Sequence, residues 1–211
     1  TLARSSAASD VYKRQTMTRL TDEQLINLFH EPRTVSSFTE EPVTDEQLRR
    51  IQELTFYGPT AFNSQPLRIT WVKSPEARER LVAHLADGNK AKTQAAPVTA
   101  ILSADANWVE HADTFNPNAA GFIKGFYTSE ELATPAAELS AHLQAGYFIT
   151  AIRALGLDAG PMTGADFAGI KKEFFADNAE IPFLVVNLGH GEAPAYPRGA
   201  RFSHDEVARS L

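Results

Sequence analysis

From Leu20 onward, apolar residues recur at helical spacing behind two matching polar starts. Thr21-Asp22-Glu23-Gln24 precedes Leu25, Leu28 and Phe29, and Thr44-Asp45-Glu46-Gln47 precedes Leu48, Ile51 and Leu54. In each, the Thr hydroxyl and the Gln amide three residues later can satisfy free N–H groups of a first turn, so each predicts a helix start. The first helix is expected to reach about His30, and the second to end at Gly58-Pro59. Leu67 to Lys73 alternates apolar and polar and predicts a half-buried strand. Ser74-Pro75 then caps a third helix carrying Leu81, Val82 and Leu85.

Two runs, Val98 to Ala104 and Phe183 to Gly189, are apolar almost throughout and bounded by breakers, as strands covered on both faces should be. They are expected at the centre of the sheet. Ala136 to Leu155 is apolar on nearly every side, yet Glu138, His142, Gln144 and Arg153 make it a long core helix and not a membrane span. A short strand is expected between Gly156 and Gly160, and a helix over Ala165 to Phe175. The region 105–131 holds His111, Phe115, Asn116, Phe122, Phe126 and Tyr127 in no steady period and reads as a long excursion.

The chain has 211 residues, 43% of them hydrophobic, which suits one core. Thr1 to Thr16 is polar and Ser/Ala-rich and lacks the apolar stretch of a secretory signal. It is read as a non-native or disordered leader, with one domain over 17–211 and a cytoplasmic location expected. A net charge of −6 argues against a nucleic-acid surface, which needs a basic footprint. With no cysteine there is no disulfide, zinc-thiolate site or redox thiol, so any electrons must travel on a bound cofactor. The six histidines show no metal-binding spacing, and no Gly-x-Gly-x-x-Gly follows a strand, which argues against a Rossmann dinucleotide site.

Four blocks carry candidate chemistry: Pro32-Arg33-Thr34-Val35-Ser36-Ser37, Gly58-Pro59-Thr60-Ala61-Phe62-Asn63-Ser64-Gln65-Pro66, Gly160-Pro161-Met162-Thr163-Gly164, and Tyr196-Pro197-Arg198-Gly199-Ala200-Arg201. Between the second and third lies Gly88-Asn89-Lys90-Ala91-Lys92-Thr93 before Ala96-Pro97-Val98. In the second block two amide side chains stand between helix breakers. Each amide offers one acceptor and two donors, enough to read the edge of a planar heterocycle, although the same composition also makes ordinary turns.

In this order, from about Leu20 to the end, the blocks resemble the FMN-dependent nitroreductase family, and most nearly the branch containing malonic semialdehyde reductases and NADH dehydrogenase/NAD(P)H nitroreductases. The absence of a second basic residue after Thr34, where Ser36 and Ser37 stand, also fits that branch. The resemblance implies an α+β fold, with a central, mainly antiparallel sheet flanked by helices in an intertwined homodimer. It implies FMN as cofactor and NAD(P)H as co-substrate. It further implies that Arg33 and Thr34 meet the FMN phosphate with Arg198 or Arg201, and that Pro59, Thr60, Asn63 and Gln65 meet the ring or ribityl chain. Pro161, Met162 and Gly164 would bring backbone to flavin N5, so that no side chain is the catalytic group. The implied reaction carries hydride from NAD(P)H to a small acceptor in ping-pong order. That acceptor would be a 3-oxo acid such as malonic semialdehyde, a nitroaromatic, a quinone or an enone, with Lys90, Lys92 and Lys124 as candidate carboxylate anchors. A flavin-storage protein without turnover is the alternative.

Overall fold

The computed structural model describes residues 19–194 and 196–211; the leader read over 1–16 lies outside the described residues. Contacts divide the chain into two compact units, one ending at Glu31 and one running Pro32–Leu211. In the first, Thr21 and Gln24 form the expected reciprocal cap on α1 (Asp22–Leu25), which passes into a π-helical turn, Ile26–His30. All the candidate site residues belong to the second unit.

That unit is built on a four-stranded sheet of β1 (Leu67–Val72), β2 (Val98–Asp105), β3 (Asp158–Met162) and β4 (Glu180–Gly189), in the order β1-β2-β4-β3 with every pairing antiparallel. All eight residues of β2 are buried. The reason is visible in the side-chain alternation. Ala100 and Leu102 join one apolar cluster with Ala141, Ala145 and Phe148 of α7 (Glu130–Ala154), while Ile101 joins a second cluster with Leu81 and Ile170. Helices α3 (Pro75–Ala83) and α8 (Phe167–Phe174) supply that second face. A strand covered on both sides gains nothing from polar alternation, so its sequence is mostly apolar, and its polar members Thr99, Ser103 and Asp105 are buried with the rest.

Helix α2 (Asp45–Thr55) carries the second reciprocal cap, Thr44 with Gln47, and buries Leu48 and Ile51. Two expectations are corrected. The long helix begins at Glu130, six residues before Ala136, and runs through Pro135, whose ring nitrogen cannot donate the bond a normal residue would make to Glu131. The region 105–131 is not a structureless loop. It folds as a 3-10 turn (Trp108–His111) running into α5 (Ala112–Phe115), then α6 (Ala120–Phe126) after a link over residues 116–119. Trp108 is fully buried, donates Nε1–H to the Ala133 carbonyl at 2.9 Å, and meets Phe115 and Tyr127 ring to ring. Among the described residues no helix is long and apolar enough to cross a membrane.

Candidate functional site

The first and last blocks meet beside the start of β3. Thr34 bridges Ala159 in parallel, and Gly160 lies so close that a Cβ there would stand 2.7 Å from the Val35 carbonyl oxygen. Only glycine allows that approach. Arg33 donates from Nη2 to the Tyr196 carbonyl at 2.7 Å, and Arg198 donates from Nη2 to the Pro32 carbonyl at 3.1 Å. The two bonds cross-tie the blocks, each arginine holding the backbone of the other's segment. Arg201 instead donates to the carbonyls of Gly199 and Ala200 in its own turn.

A further arginine belongs to this cluster, and nothing in the local sequence singles it out. Arg153, in the last turn of α7, has its pKa pushed down first by burial and then by the charge of Arg198, against the opposing pull of Asp158. Its Nε is buried without a hydrogen-bond partner. Asp158 is itself engaged, accepting the Gly191 N–H at Oδ2. Positive charge crowded and partly dehydrated in this way favours an anion with several acceptor oxygens, and a phosphate dianion fits that donor set.

At the other end of β3, Met162 pairs with Val185 and turns its side chain into the second apolar cluster. Thr93 and Asn187 pin this end from beneath. The Asn187 amide donates to Thr93 Oγ1 at 3.0 Å, and Thr99 Oγ1 donates to Asn187 Oδ1 at 2.8 Å. The Gly164 carbonyl accepts from Ala86 N–H and from Asn89 Nδ2 at 2.9 Å, and a Cβ on Gly164 would sit 2.7 Å from that amide nitrogen. Asn89 thus belongs to the Pro161–Gly164 end, a role its position on α4 (Asp87–Ala95) gives it. Three residues of strand separate Ala159 from Met162, about 10 Å at the usual rise.

The amide loop lies elsewhere. It is anchored to the middle of α7, where Ser140 Oγ accepts the Ala61 N–H at 3.3 Å and Gln144 Oε1 accepts the Leu67 N–H at 3.0 Å. Ser140 and Arg153 are thirteen residues apart on one helix, about 20 Å along its axis. Within one chain, then, the structure groups Arg33, Thr34 and Arg198 with the β3 residues Pro161 and Met162, and sets Pro59, Thr60, Asn63 and Gln65 apart.

The loop is strained. Phe62, Asn63 and Gln65 have φ of 56°, 63° and 44°, and none is glycine. Left-handed backbone costs Phe62 and Gln65 about 1–2 kcal/mol each, and Asn63 less, so something must hold it. The Gln65 N–H bonds Thr60 Oγ1, Gln65 Nε2 donates to the Asn63 carbonyl, and Asn63 Nδ2 donates to the Phe115 carbonyl at 3.1 Å. Arg68, paired with Asp105 at 2.5 Å, donates to the Gln65 carbonyl and closes the loop's far end.

Beside the loop stands a ladder of rings. Phe62 lies 5.9 Å from Phe122, which stacks on Phe126 at 5.9 Å, and the two α6 rings are 60% and 52% exposed. The candidate anchors Lys124 and Lys90 are engaged, Lys124 with Asp113 and Lys90 with Asp87.

Comparison with known proteins gives one consistent result. The family model described as "Nitroreductase family" matches residues 31–190. A Streptomyces coelicolor protein provisionally named NADH dehydrogenase/NAD(P)H nitroreductase is 51% identical over 185 residues, covering 87% of this chain and 94% of the relative. A Leptothrix cholodnii protein with the same provisional name is 44% identical over 197 residues, covering 92% of this chain and all of the relative. Among solved structures, a nitroreductase-like protein from Exiguobacterium sibiricum, described as in complex with FMN, superposes with a TM-score of 0.79 at 18% identity. It covers 92% of this chain and 99% of that one. At that identity the likeness speaks for the fold.

Proposed function

Because the chain belongs to the nitroreductase family, we propose that it is an FMN-dependent oxidoreductase that carries a hydride from NAD(P)H to a small acceptor. The observation that carries the reading is the arginine arrangement beside β3, in which Arg33 and Arg198 cross-tie the first and last blocks and Arg153, within electrostatic reach of Arg198, holds a buried, unpartnered guanidinium nitrogen. FMN, when bound, supplies ring nitrogen N5, which takes up hydride and gives it to a second substrate. Everything else is the chain's work.

Arg33, Thr34 and Arg198 hold the phosphate, with the charge of Arg153 behind them. Pro161, Met162 and Gly164 present backbone to the ring, kept in place by Thr93, Asn187 and Asn89. We assign Pro59, Thr60, Asn63 and Gln65 to the ring bound by a second copy of the chain, because about 20 Å of α7 separates them from their own arginines. Leu139, Leu143 and Tyr147, at successive four-residue steps of that helix, are 65%, 50% and 46% exposed and supply the apolar stripe for such a homodimer.

For the acceptor, the ladder of Phe62, Phe122 and Phe126 supports a flat, uncharged molecule such as a quinone or nitroaromatic. Lys90 and Lys124 are each paired with a carboxylate of the same chain, which leaves Lys92 of the three candidate anchors for an anionic acceptor such as malonic semialdehyde. The net reaction with a quinone is NAD(P)H + quinone + H⁺ → NAD(P)⁺ + hydroquinone.

The test is the visible spectrum of the purified protein, then anaerobic addition of NADPH and NADH in turn, then menadione or malonic semialdehyde. Flavin bands that bleach with either donor and return with menadione bear the proposal out. Bands that neither donor bleaches would mean flavin storage, and a protein that cannot take up FMN would overturn the reading.

A further inference from the structure

Asn63 and Asn116 form a reciprocal clasp. Asn63 Nδ2 donates to the carbonyl of Phe115, and Asn116 Nδ2 donates to the carbonyl of Phe62, each at 3.1 Å. Each amide thus bonds the backbone beside the other. The clasp grips the point where Phe62, a bulky residue, is held at φ 56° next to Asn63 at φ 63°. A conformation that an aromatic side chain avoids persists only where its surroundings over-determine it. Here the carbonyl between the two strained residues is fixed by Asn116, which itself has an irregular backbone (φ −154°, ψ 73°) between α5 and α6.

We propose that Asn116 is a positioning residue for the ring-binding loop: it holds the left-handed turn at Phe62 and thereby sets which atoms of Asn63 face the cofactor. With Nδ2 engaged at Phe115, Asn63 keeps Oδ1, an acceptor with two lone pairs, as its main open group. It is therefore set to read a donor on the ligand, such as the imide N–H of a flavin ring. The clasp also makes one body of the loop and the aromatic ladder, since Phe62 touches Phe122 at 5.9 Å and Tyr127 at 6.4 Å. The cofactor assignment within this inference rests on the reading of the protein as a flavoenzyme; the clasp and its strain do not.

The experiment compares the full-length protein with Asn116→Ala, Asn116→Asp and the pair Asn116→Ala with Phe62→Gly. FMN affinity is read by quenching of FMN fluorescence, and hydrogen exchange of the Asn63, Ser64 and Gln65 amides is followed in flavin-free protein. Asn116→Ala is expected to weaken FMN binding about five- to tenfold, the worth of one hydrogen bond with its strained turn. It should also speed exchange of all three amides. Asn116→Asp, equal in size but with an acceptor facing the Phe62 carbonyl, should do at least as much harm. Adding Phe62→Gly to Asn116→Ala should return both readouts toward the wild type, because glycine takes the left-handed conformation without a clasp. A side chain that only filled space would not be rescued in this way. Wild-type affinity and exchange in Asn116→Ala, or no recovery with Phe62→Gly, would overturn the proposal. If the wild-type protein binds no FMN, the flavoenzyme reading falls with the cofactor half of this inference, while the exchange measurements still decide the clasp.

Discussion

Arg33 donates from Nη2 to the backbone carbonyl of Tyr196 at 2.7 Å, across 163 residues of sequence. The same guanidinium therefore serves two ends, fastening the tail after Gly191 and contributing charge to the cluster with Arg198. Replacing Arg33 with Ala should weaken FMN binding roughly 10- to 150-fold, the loss of charge-assisted bonds of about 1.5–3 kcal/mol. Proteolysis in the segment after Gly191 should also quicken. Fluorescence titration and a timed trypsin digest measure the two effects separately, and unchanged FMN affinity would remove Arg33 from the phosphate site.

A carboxylate in the exposed stripe of α7 should prevent a second copy from docking. Leu143 is half exposed and sits between Leu139 and Tyr147 on one face. Leu143→Glu is expected to sediment as a monomer and to lose its flavin in the same step, since the amide loop of the partner would be missing. A monomeric variant that keeps FMN at wild-type affinity would place all the ring contacts within one chain.

Phe148 stands in the core at the crossing of α7 and β1, fully buried and 5.7 Å from the ring of Trp71. Its truncation to Ala leaves a cavity that helix and sheet cannot close together. The expected cost is about 3–5 kcal/mol of folding stability. An unfolding free energy from denaturant titration lowered by less than a third of that amount would show that the α7 face repacks.

Glu180, at the start of β4, carries a pKa raised by burial above the usual glutamate range, and its Oε2 lacks a partner. The folded state holds this proton more tightly than the unfolded chain does. Its contribution is therefore complete below the unfolded pKa and is lost as pH rises through the folded one. Glu180→Gln, which cannot ionise, should unfold at a higher temperature than the parent at pH 7, with the gain shrinking toward zero as pH falls below the ordinary glutamate range. Melting curves across pH 4–8 check the sign, and a gain that grew on acidification would refute the assignment.

Much of this molecule is legible in local sequence because the forces that shape those parts are local. The caps at Thr21 and Thr44 need only a residue three positions away. The buried strands announce themselves by mostly apolar runs bounded by breakers, whatever packs on them. The same holds for candidate chemistry carried by compact blocks, such as Gly160 to Gly164. Other features depended on partners far along the chain. The short helices of 105–131 are of four to seven residues, too brief to stand on their own or to show a period, and they exist because Trp108, Phe115 and Tyr127 pack together. The long helix is expected only from Ala136, after Pro135, yet it begins at Glu130 and crosses the proline with Ala133 and Ala137 both buried. In Ala61-Phe62-Asn63-Ser64-Gln65 only Asn63 is of a type that readily takes left-handed backbone; at Phe62 and Gln65 it is held by bonds with Asn116, Thr60 and Arg68. Likewise, composition cannot tell Arg198 from Arg201, and it passes over Arg153 and Asn116 altogether. Which side chains meet is a matter of how the sheet, α7 and the tail are brought together, and that geometry is decided only when the whole core closes.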